Sequence, residues 1–311
     1  MLTALSIMAV SLLCGCASAE NDSKKKADNP PPAKPVAVTP PFTAYQDIIY
    51  IPKSRLKAQT LDLYVPKGKK GEPLIVFIHG GGWVSGDKKD CPTDVILQRH
   101  VALASINYRL TDQAIFPAQI FDCKAAIRWL RANSKKYGYD AKKIGVWGSS
   151  AGGHLVALLG TTNGDKEEEG DKGNAKASSN VQAVCDWCGP TDLLTMADQA
   201  GAENDVGLKK PGNFVDKLLG GPAKEHEALA KMASPVYHVT KDCPPILILH
   251  GDKDNTVPYP QAQEFYKALQ DAGVDSQMIT IHGGGHGFAS DDTFNSTMEF
   301  FDRVLRNKAK D

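Results

Sequence analysis

A serine flanked by glycines is the part of this sequence best suited to chemistry. Gly148, Ser150 and Gly152 lie between an apolar run and a second apolar segment. This spacing between a strand and a helix is typical of a nucleophile elbow, a sharp turn that exposes the serine hydroxyl above a sheet. Glycines are needed there because a Cβ would collide with the neighbouring strand or the following helix. If Ser149 were the nucleophile, the bulky Trp147 would occupy one of these positions, so we predict Ser150.

A serine hydroxyl becomes a good nucleophile only when a base accepts its proton and an acid orients that base. After an elbow of this kind the acid comes first in the chain and the histidine second. One later loop contains Asp252 and Asp254, and the next contains His282 and His286. We predict Asp254, at the far reach of its loop, as the acid, and His286, which lies among glycines, as the base. Asp252 is expected to fix its turn through backbone amides.

Three consecutive glycines could supply the amides that stabilise an oxyanion. They follow a predicted buried strand upstream of the elbow, and their N–H groups can point at one place. We predict an oxyanion hole formed by the amides of Gly81, Gly82 and Ala151. Trp83 and Trp187 lie near predicted strand ends, where they could stack on a sugar or an aromatic acyl group, although core packing explains either residue equally well.

The elements around these residues predict an α/β fold. Residues 45–51 and 60–65 alternate apolar and polar residues, which indicates antiparallel strands at a sheet edge. The later apolar runs are continuous, as in parallel strands covered on both faces. Strands that alternate with helices predict a mostly parallel central sheet with helices on both faces, and the irregular stretch 194–238 predicts a small cap insertion. The predicted buried strands are 74–78, 101–106, 144–147, 181–187, 246–250 and 277–281, and the predicted helices are 92–99, one opened by Pro117, 260–270 and 293–307.

These motifs together resemble those of the α/β-hydrolase serine esterases. The resemblance is to a bacterial secreted group related to feruloyl and acetyl-xylan esterases, with hormone-sensitive-lipase-like neighbours, and it extends over roughly residues 45–305. It implies that Ser150, Asp254 and His286 form a catalytic triad and that no metal or cofactor is needed. The residues that carry it are 79–83, 86–87, 107–109, 148–153, 254–258 and 285–287.

The expected reaction is hydrolysis of a carboxylic ester through an acyl-enzyme, with acetyl or feruloyl groups on plant polysaccharide such as xylan as substrates. The alternatives are a general short-chain carboxylesterase or lipase-like enzyme, a serine peptidase, and a non-catalytic protein with a hydrolase fold. A peptidase of this class usually has a further large domain, for which there is no room before residue 45. A non-catalytic relative would be expected to lack a triad or oxyanion residue. The short stretch before the first strands leaves no room for a large N-terminal cap, which favours an open site over that of a broad lipase.

The charge balance gives no reason to expect a nucleic-acid partner. Lys and Arg together number 36, as do Asp and Glu, and the one basic run, 24–26, lies in a polar segment.

The N-terminal region is predicted to be an export signal followed by a linker. Residues 1–19 contain an apolar stretch that is too short to span a bilayer and ends in small residues, as a signal peptide does. Cys16 lies in a sequence similar to a lipoprotein box, whereas residues 17–19 offer ordinary signal cleavage. The Pro- and Lys-rich segment 20–41 is suited to a tether, and we expect 42–311 to form the catalytic domain. We therefore expect an exported protein, either a periplasmic or outer-membrane lipoprotein or a secreted enzyme, with no transmembrane helix in the mature chain.

Export raises the question of disulfides, because exported proteins meet oxidising conditions. The predicted domain contains an odd number of cysteines, so at least one thiol lacks a partner within it. Cys185 and Cys188 form a C-x-x-C pair, but no second ligand pair lies at zinc-finger spacing, and core packing is the expected role. Cys91 with Cys123 is the expected bridge. The five cysteines of the predicted domain are Cys91, Cys123, Cys185, Cys188 and Cys243.

Overall fold

The computed structural model describes residues 42–165, 169–170, 173–201 and 204–307. The predicted signal, the linker and Cys16 lie outside the described residues, and so remain predictions. Within the described residues, no helix is both long enough and apolar enough to cross a membrane.

A single sheet of eight strands forms the centre of the domain, in the order β1-β2-β4-β3-β5-β6-β7-β8. The first strand is antiparallel to the second, and the second to the fourth, whereas all other neighbours are parallel. The predicted α/β fold with a mostly parallel sheet is therefore confirmed. The strands are β1 (Phe42–Ile49), β2 (Thr60–Pro66), β3 (Glu72–Ile78), β4 (Ala102–Ile106), β5 (Tyr139–Ser149), β6 (Ala183–Trp187), β7 (Ile246–Gly251) and β8 (Ser276–Ile281).

Helices cover both faces of this sheet, and a set of short helices lies in the chain between β6 and β7. That insertion contains α4, α5 and α6, where the sequence predicts a small cap. The helices are α1 (Thr93–Leu97), α2 (Ala118–Tyr137), α3 (Ala151–Thr161), α4 (Met196–Gln199), α5 (Phe214–Leu219), α6 (Glu227–Met232), α7 (Pro260–Asp271) and α8 (Asp291–Arg306).

Successive side chains of a strand point to opposite faces of the sheet, and helices cover both faces here, which explains why the strand sequences are continuously apolar. On β3, Leu74 and Ile78 belong to the core that also contains residues of α2, α3 and α7. Ile75 and Phe77 belong to a second core that contains residues of α1 and α8. Because both faces are covered, every side chain in the run is removed from water.

The same two cores rule out the expected disulfide. Cys91 belongs to the core with α1 and α8, and Cys123 belongs to the other core, so the sheet separates the two thiols. All five cysteines of the domain are free. The prediction of a Cys91–Cys123 bridge was wrong because sequence spacing does not tell which face of the sheet a cysteine occupies.

The largest error in element boundaries concerns β5. It begins at Tyr139, whereas the apolar run begins at Ile144. Residues 140–143 are mostly polar and partly exposed, whereas Tyr139 is buried and pairs with Glu72, and the register is irregular between that pair and the next. Hydrophobicity alone could not reveal this extension, because residues 140–143, next to the apolar run, are not buried.

Candidate active site

The elbow joins β5 directly to α3. Ser150 is the single residue between them and has φ 57° and ψ −121°, a conformation that non-glycine residues rarely adopt. Its backbone N–H donates to the Trp187 carbonyl oxygen at 2.8 Å, which ties the turn to β6. Strain of this kind persists only where the surroundings impose it, and it is concentrated at functional sites.

The two elbow glycines are required by close backbone contacts. A Cβ built on Gly152 would lie 2.0 Å from the carbonyl oxygen of Ile78, the last residue of β3. A Cβ on Gly148 would lie 2.3 Å from the Gly152 carbonyl oxygen. Glycine is therefore required at both positions, as the spacing of the motif predicts, since no larger residue fits between strand, turn and helix.

The predicted acid and base are in direct contact. Nδ1 of His286 lies 2.7 Å from Oδ2 of Asp254. The carboxylate is fully buried, and its Oδ1 accepts the backbone N–H groups of Thr256 and Val257 at 2.8 Å and 2.9 Å. These bonds fix the carboxylate plane, so that it can orient the imidazole.

The pair shifts both pKa values in the directions that ionisation requires. Burial alone would raise the pKa of Asp254, but hydrogen bonds from His250 and His286 outweigh it, and the pKa is lowered. Burial alone would lower the pKa of His286, but the bond to Asp254 and the neighbouring Cys188 thiol outweigh it, and the pKa is raised. The carboxylate therefore stays charged and stabilises the imidazolium that forms when the histidine accepts a proton.

The rejected pair, Asp252 and His282, forms a separate surface contact. His282 Nδ1 lies 3.1 Å from Asp252 Oδ2, and the His282 side chain is 86% exposed. Asp252 Oδ1 accepts the Gly283 N–H at 2.8 Å. Asp252 thus fixes backbone, as expected, although the amide belongs to the next loop and not to its own turn.

The predicted oxyanion residues lie beside the elbow. Gly81 and Gly82 have φ +99° and +59°, and a Cβ on Gly81 would lie 2.3 Å from the Ser85 carbonyl oxygen. The Gly81 carbonyl accepts the N–H groups of Val84 and Ser85, each at 3.1 Å, which closes a tight turn. Ala151 is the first residue of α3, where the N–H has no carbonyl one turn earlier in the helix to bind.

Ser150, His286, Gly81, Gly82 and Ala151 line one cavity of about 490 Å³ at the carboxyl edge of the sheet. Ligands bind at this edge in open α/β sheets. The structure therefore brings the predicted nucleophile, base and oxyanion amides to one place, with the acid buried behind the base.

The insertion after β6 supplies an apolar wall of the same cavity. A Cβ built on Gly82 would lie 3.0 Å from the Phe214 ring, so this ring packs directly against the predicted oxyanion loop. The wall residues from the insertion are Met196, Val206, Leu208, Phe214 and Val215. Such side chains suit the acyl group of an ester more than a charged ligand.

The sequence and fold of this chain are similar to those of known proteins. The model of the BD-FAE family matches residues 61–269, which include the elbow, the glycine loop and Asp254. The chain belongs to the BD-FAE family.

Esterases stand among the relatives of this BD-FAE chain. Esterase LipC of Mycobacterium tuberculosis is 33% identical over 81% of this chain and 64% of LipC, so the chain spans less than two thirds of that relative. Among solved structures, a truncated carbohydrate esterase from gut microbiota is 36% identical, with a TM-score of 0.78, over 86% of this chain and 98% of that one. A bifunctional GH43-CE protein of Bacteroides eggerthii is 33% identical, with a TM-score of 0.77, and the match covers 84% of this chain and 38% of that one.

The two tryptophans proposed for this BD-FAE site have different positions. Trp83 lines the cavity, although it is 2% exposed, and its Nε1 donates to His154 Nδ1 at 3.2 Å. Trp187 is a core residue, packed against Trp147 and Phe294, and its Nε1 donates to Thr297 at 2.9 Å. The expectation that Trp187 binds substrate is therefore corrected: its ring points to the α8 side of the sheet.

A network that the sequence did not assign supports the glycine loop. Asn107 accepts the backbone N–H of Lys88 at 2.6 Å, and its amide donates to Asp87 at 3.3 Å. The Tyr108 hydroxyl donates to the His79 carbonyl at 3.0 Å, and the two rings stack with centroids 4.4 Å apart. Asn107 and Tyr108 are among the residues that carried the family resemblance. Tyr108 holds the start of the glycine loop, and Asn107 holds the segment that follows it.

Cys188 is a further neighbour of the triad that sequence reasoning placed only in the core. It is fully buried, follows β6 with φ +46°, and its Sγ lies 3.7 Å from the His286 carbonyl oxygen. Its sulfur and the ligand atoms of Asp254 and His286 lie within 4.8 Å of one another, and zinc accepts these donor types. Asp254 and His286 already bond each other at 2.7 Å, so we assign Cys188 to the packing behind the base.

Proposed function

We propose that this protein is a serine hydrolase of carboxylic esters that acts through an acyl-enzyme. The observation that carries the proposal is the shared cavity, in which Ser150 and His286 lie with the two glycines of the oxyanion loop. Esterase activity in the relatives supports it. From their positions we infer that Ser150 is the nucleophile, Asp254 the acid and His286 the base.

In the proposed reaction, Ser150 Oγ attacks the ester carbonyl while His286 accepts the hydroxyl proton. Asp254 holds the imidazole and stabilises its charged form. The amides of Gly81, Gly82 and Ala151 donate to the developing oxyanion, where each donor is worth on the order of 10²–10³ in rate. His286 then gives this proton to the departing alcohol. In the second step His286 takes a proton from water, which attacks the acyl-enzyme, and returns it to Ser150 Oγ as the acid is released.

For the substrate, we propose an acylated plant polysaccharide such as xylan, with acetyl or feruloyl as the acyl group. The carbohydrate esterases among the similar structures support this class. The cavity also supports it, because the apolar wall from the insertion can hold an acyl group, whereas Ser85 and Asp90 at the same cavity can accept or donate hydrogen bonds to sugar hydroxyls.

A general short-chain carboxylesterase is the second candidate. The wall formed by Met196, Leu208 and Phe214 favours it, since these side chains would accept simple aliphatic acyl groups without any sugar. LipC, a relative named only as an esterase, is consistent with this alternative.

The test is hydrolysis of p-nitrophenyl acetate, butyrate and octanoate by the full chain, beside Ser150→Ala. Ser149→Ala is the matched control, because it removes the neighbouring hydroxyl from the same turn. Turnover that is lost in Ser150→Ala and kept in Ser149→Ala supports the proposal, and equal activity in Ser150→Ala overturns it. Release of acetate from acetylated xylan, or of ferulate from methyl ferulate, at higher kcat/KM than from p-nitrophenyl esters would favour the carbohydrate substrate over the general esterase.

We also propose that the protein is exported and anchored by a lipid at Cys16, which lies outside the described residues. Metabolic labelling with a radioactive fatty acid in a bacterial host tests this. Label is expected in the wild type and in Cys14→Ala, and should be absent from Cys16→Ala. Unlabelled but exported wild type would favour cleavage after residues 17–19 instead.

A further inference from the structure

A second buried histidine contacts the carboxylate of Asp254. His250 lies near the end of β7 and is fully buried. Its Nε2 lies 2.9 Å from the Val257 carbonyl oxygen and 3.1 Å from Asp254 Oδ2. Both partners are acceptors, so Nε2 must carry the hydrogen, which fixes the tautomer of the ring.

This contact completes the hydrogen-bonding capacity of the carboxylate. Oδ1 accepts two backbone amides, and Oδ2 accepts His286 at 2.7 Å and His250 at 3.1 Å. An ionised carboxylate has about four lone-pair positions, and here each has a donor. One oxygen is therefore shared between two imidazoles, of which only His286 lines the active-site cavity.

We propose that His250 is a positioning residue for the proposed ester hydrolysis: its Nε2–H fixes Oδ2 of Asp254 in the direction of His286 and shares the negative charge of that oxygen. The proposal rests on the triad of the proposed function. A donor from β7 is well suited to this role, because a strand paired on both sides, here with β6 and β8, holds its side chain more rigidly than a loop does.

Other ionisable groups near His250 must be considered in any pH experiment. Asp186, fully buried on β6, accepts the Gly189 N–H at 2.8 Å and is close enough for its charge to interact with His250. Burial raises the pKa of the Asp186 carboxyl to about 6. From α7's side, the Tyr259 ring meets His250 edge-on at 5.8 Å. Among the described residues, Nδ1 of His250 has no hydrogen-bond partner.

The test compares His250→Leu, which removes the donor, with His250→Gln, which can present an amide N–H to the same oxygen. For the full chain, kcat and KM for p-nitrophenyl acetate are measured from about pH 5 to about pH 10. We expect His250→Leu to lower kcat about 10-fold to 100-fold, as for a lost hydrogen bond to a charged group, with KM changed by less than about twofold. The acidic limb of the pH profile of this variant should move to higher pH, because His250 no longer shares the negative charge of Asp254, which then acts on His286 alone. His250→Gln should restore most of kcat and the wild-type limb.

A merely structural role would give a different result. If both variants lose the same activity and neither moves the acidic limb, His250 only fills space, and the proposal is overturned. Wild-type kcat in His250→Leu would overturn it as well. Asp186→Asn is measured alongside, since a limb that moves equally in that variant would assign the shift to Asp186.

A readout independent of substrate separates this proposal from the proposed function. The proton between His286 and Asp254 should give a low-field proton NMR resonance, which Asp254→Asn abolishes. His250→Leu should move that resonance and His250→Gln should leave it nearly unchanged. A resonance that stays in place in His250→Leu would overturn the role of His250 even if the esterase is active. If the protein proves to have no esterase activity, the NMR shift would still report the contact between His250 and Asp254.

Discussion

Nδ1 of His286 and Oδ2 of Asp254 are 2.7 Å apart, and the carboxylate has no exposed surface. A charged acceptor held so close, and shielded from water, stabilises the imidazolium more than solvent does. The pKa of His286 is accordingly raised from its ordinary value of 6.5, despite the opposing effect of burial.

The pH dependence of activity follows from this shift. His286 must be neutral to accept the serine proton, and a raised pKa keeps it protonated to higher pH. We expect kcat/KM for p-nitrophenyl acetate to fall as the pH is lowered through a value above 6.5, so the enzyme should work best in mildly alkaline buffer. Ser150→Ala, measured at each pH, corrects for spontaneous hydrolysis. An acidic limb at or below 6.5 would show that the pair does not raise this pKa in solution.

Replacement of the two aspartates in the loop after β7 should have very different effects on kcat. Asp254→Asn removes the charge that holds His286, and we expect kcat to fall by about 10³–10⁴, as when a triad carboxylate is neutralised. Asp252→Asn is the control, because Asp252 contacts the Gly283 amide and the exposed His282 at the surface. It should keep kcat within a few-fold of wild type. Similar losses in both variants would contradict the assignment of the acid.

The elbow glycine should be intolerant of a single methyl group. In Gly152→Ala the new Cβ would lie 2.0 Å from the Ile78 carbonyl oxygen, so the backbone of β3 or α3 must move. We expect the free energy of unfolding to fall by about 1–3 kcal/mol, in the range of overpacked cores, and kcat to fall with it. Urea denaturation measures the first. Gly201→Ala is the control, since a Cβ there has nothing within 4 Å, and its unfolding free energy should stay within about 0.5 kcal/mol of wild type.

The wall supplied by Phe214 should set the acyl preference. Phe214→Ala enlarges the cavity beside Gly82 and should raise the kcat/KM for octanoate relative to acetate by about 10-fold, as expected when room for methylene groups is gained. Leu56→Ala, at an exposed leucine outside the cavity, should leave the ratio unchanged. If the ratio stays the same in Phe214→Ala, the acyl group must bind elsewhere in the cavity.

The sequence predicted the fold and brought the site residues close to their observed places because both depend on local patterns. Continuous apolar runs identified the parallel strands, and the residues that follow β5, β7 and β8 must meet at one edge of the sheet. The need for glycine at positions 148 and 152 could be inferred from steric contacts alone. Each of these inferences needed only a few neighbouring residues and one rule of geometry.

What the sequence could not reveal depends on contacts between distant segments. Cys91 and Cys123 lie in different cores, and the direction of Trp187 depends on which face of β6 its side chain occupies. The bond from His250 to Asp254 requires the loop after β7 to fold back onto the strand. Phe214 reaches the Gly82 loop from more than a hundred residues away in sequence, through an insertion with no clear periodic pattern.

The insertion between β6 and β7 has a consequence for how such enzymes can diverge. The residues proposed for bond cleavage come from loops after β3, β5, β7 and β8, whereas much of the apolar wall comes from the insertion alone. Mutation or replacement of that one stretch could alter which esters are accepted while the proposed catalytic groups stay in place. If the proposed roles hold, substrate range and bond cleavage depend on separable parts of the chain, which makes this segment a natural target for directed evolution.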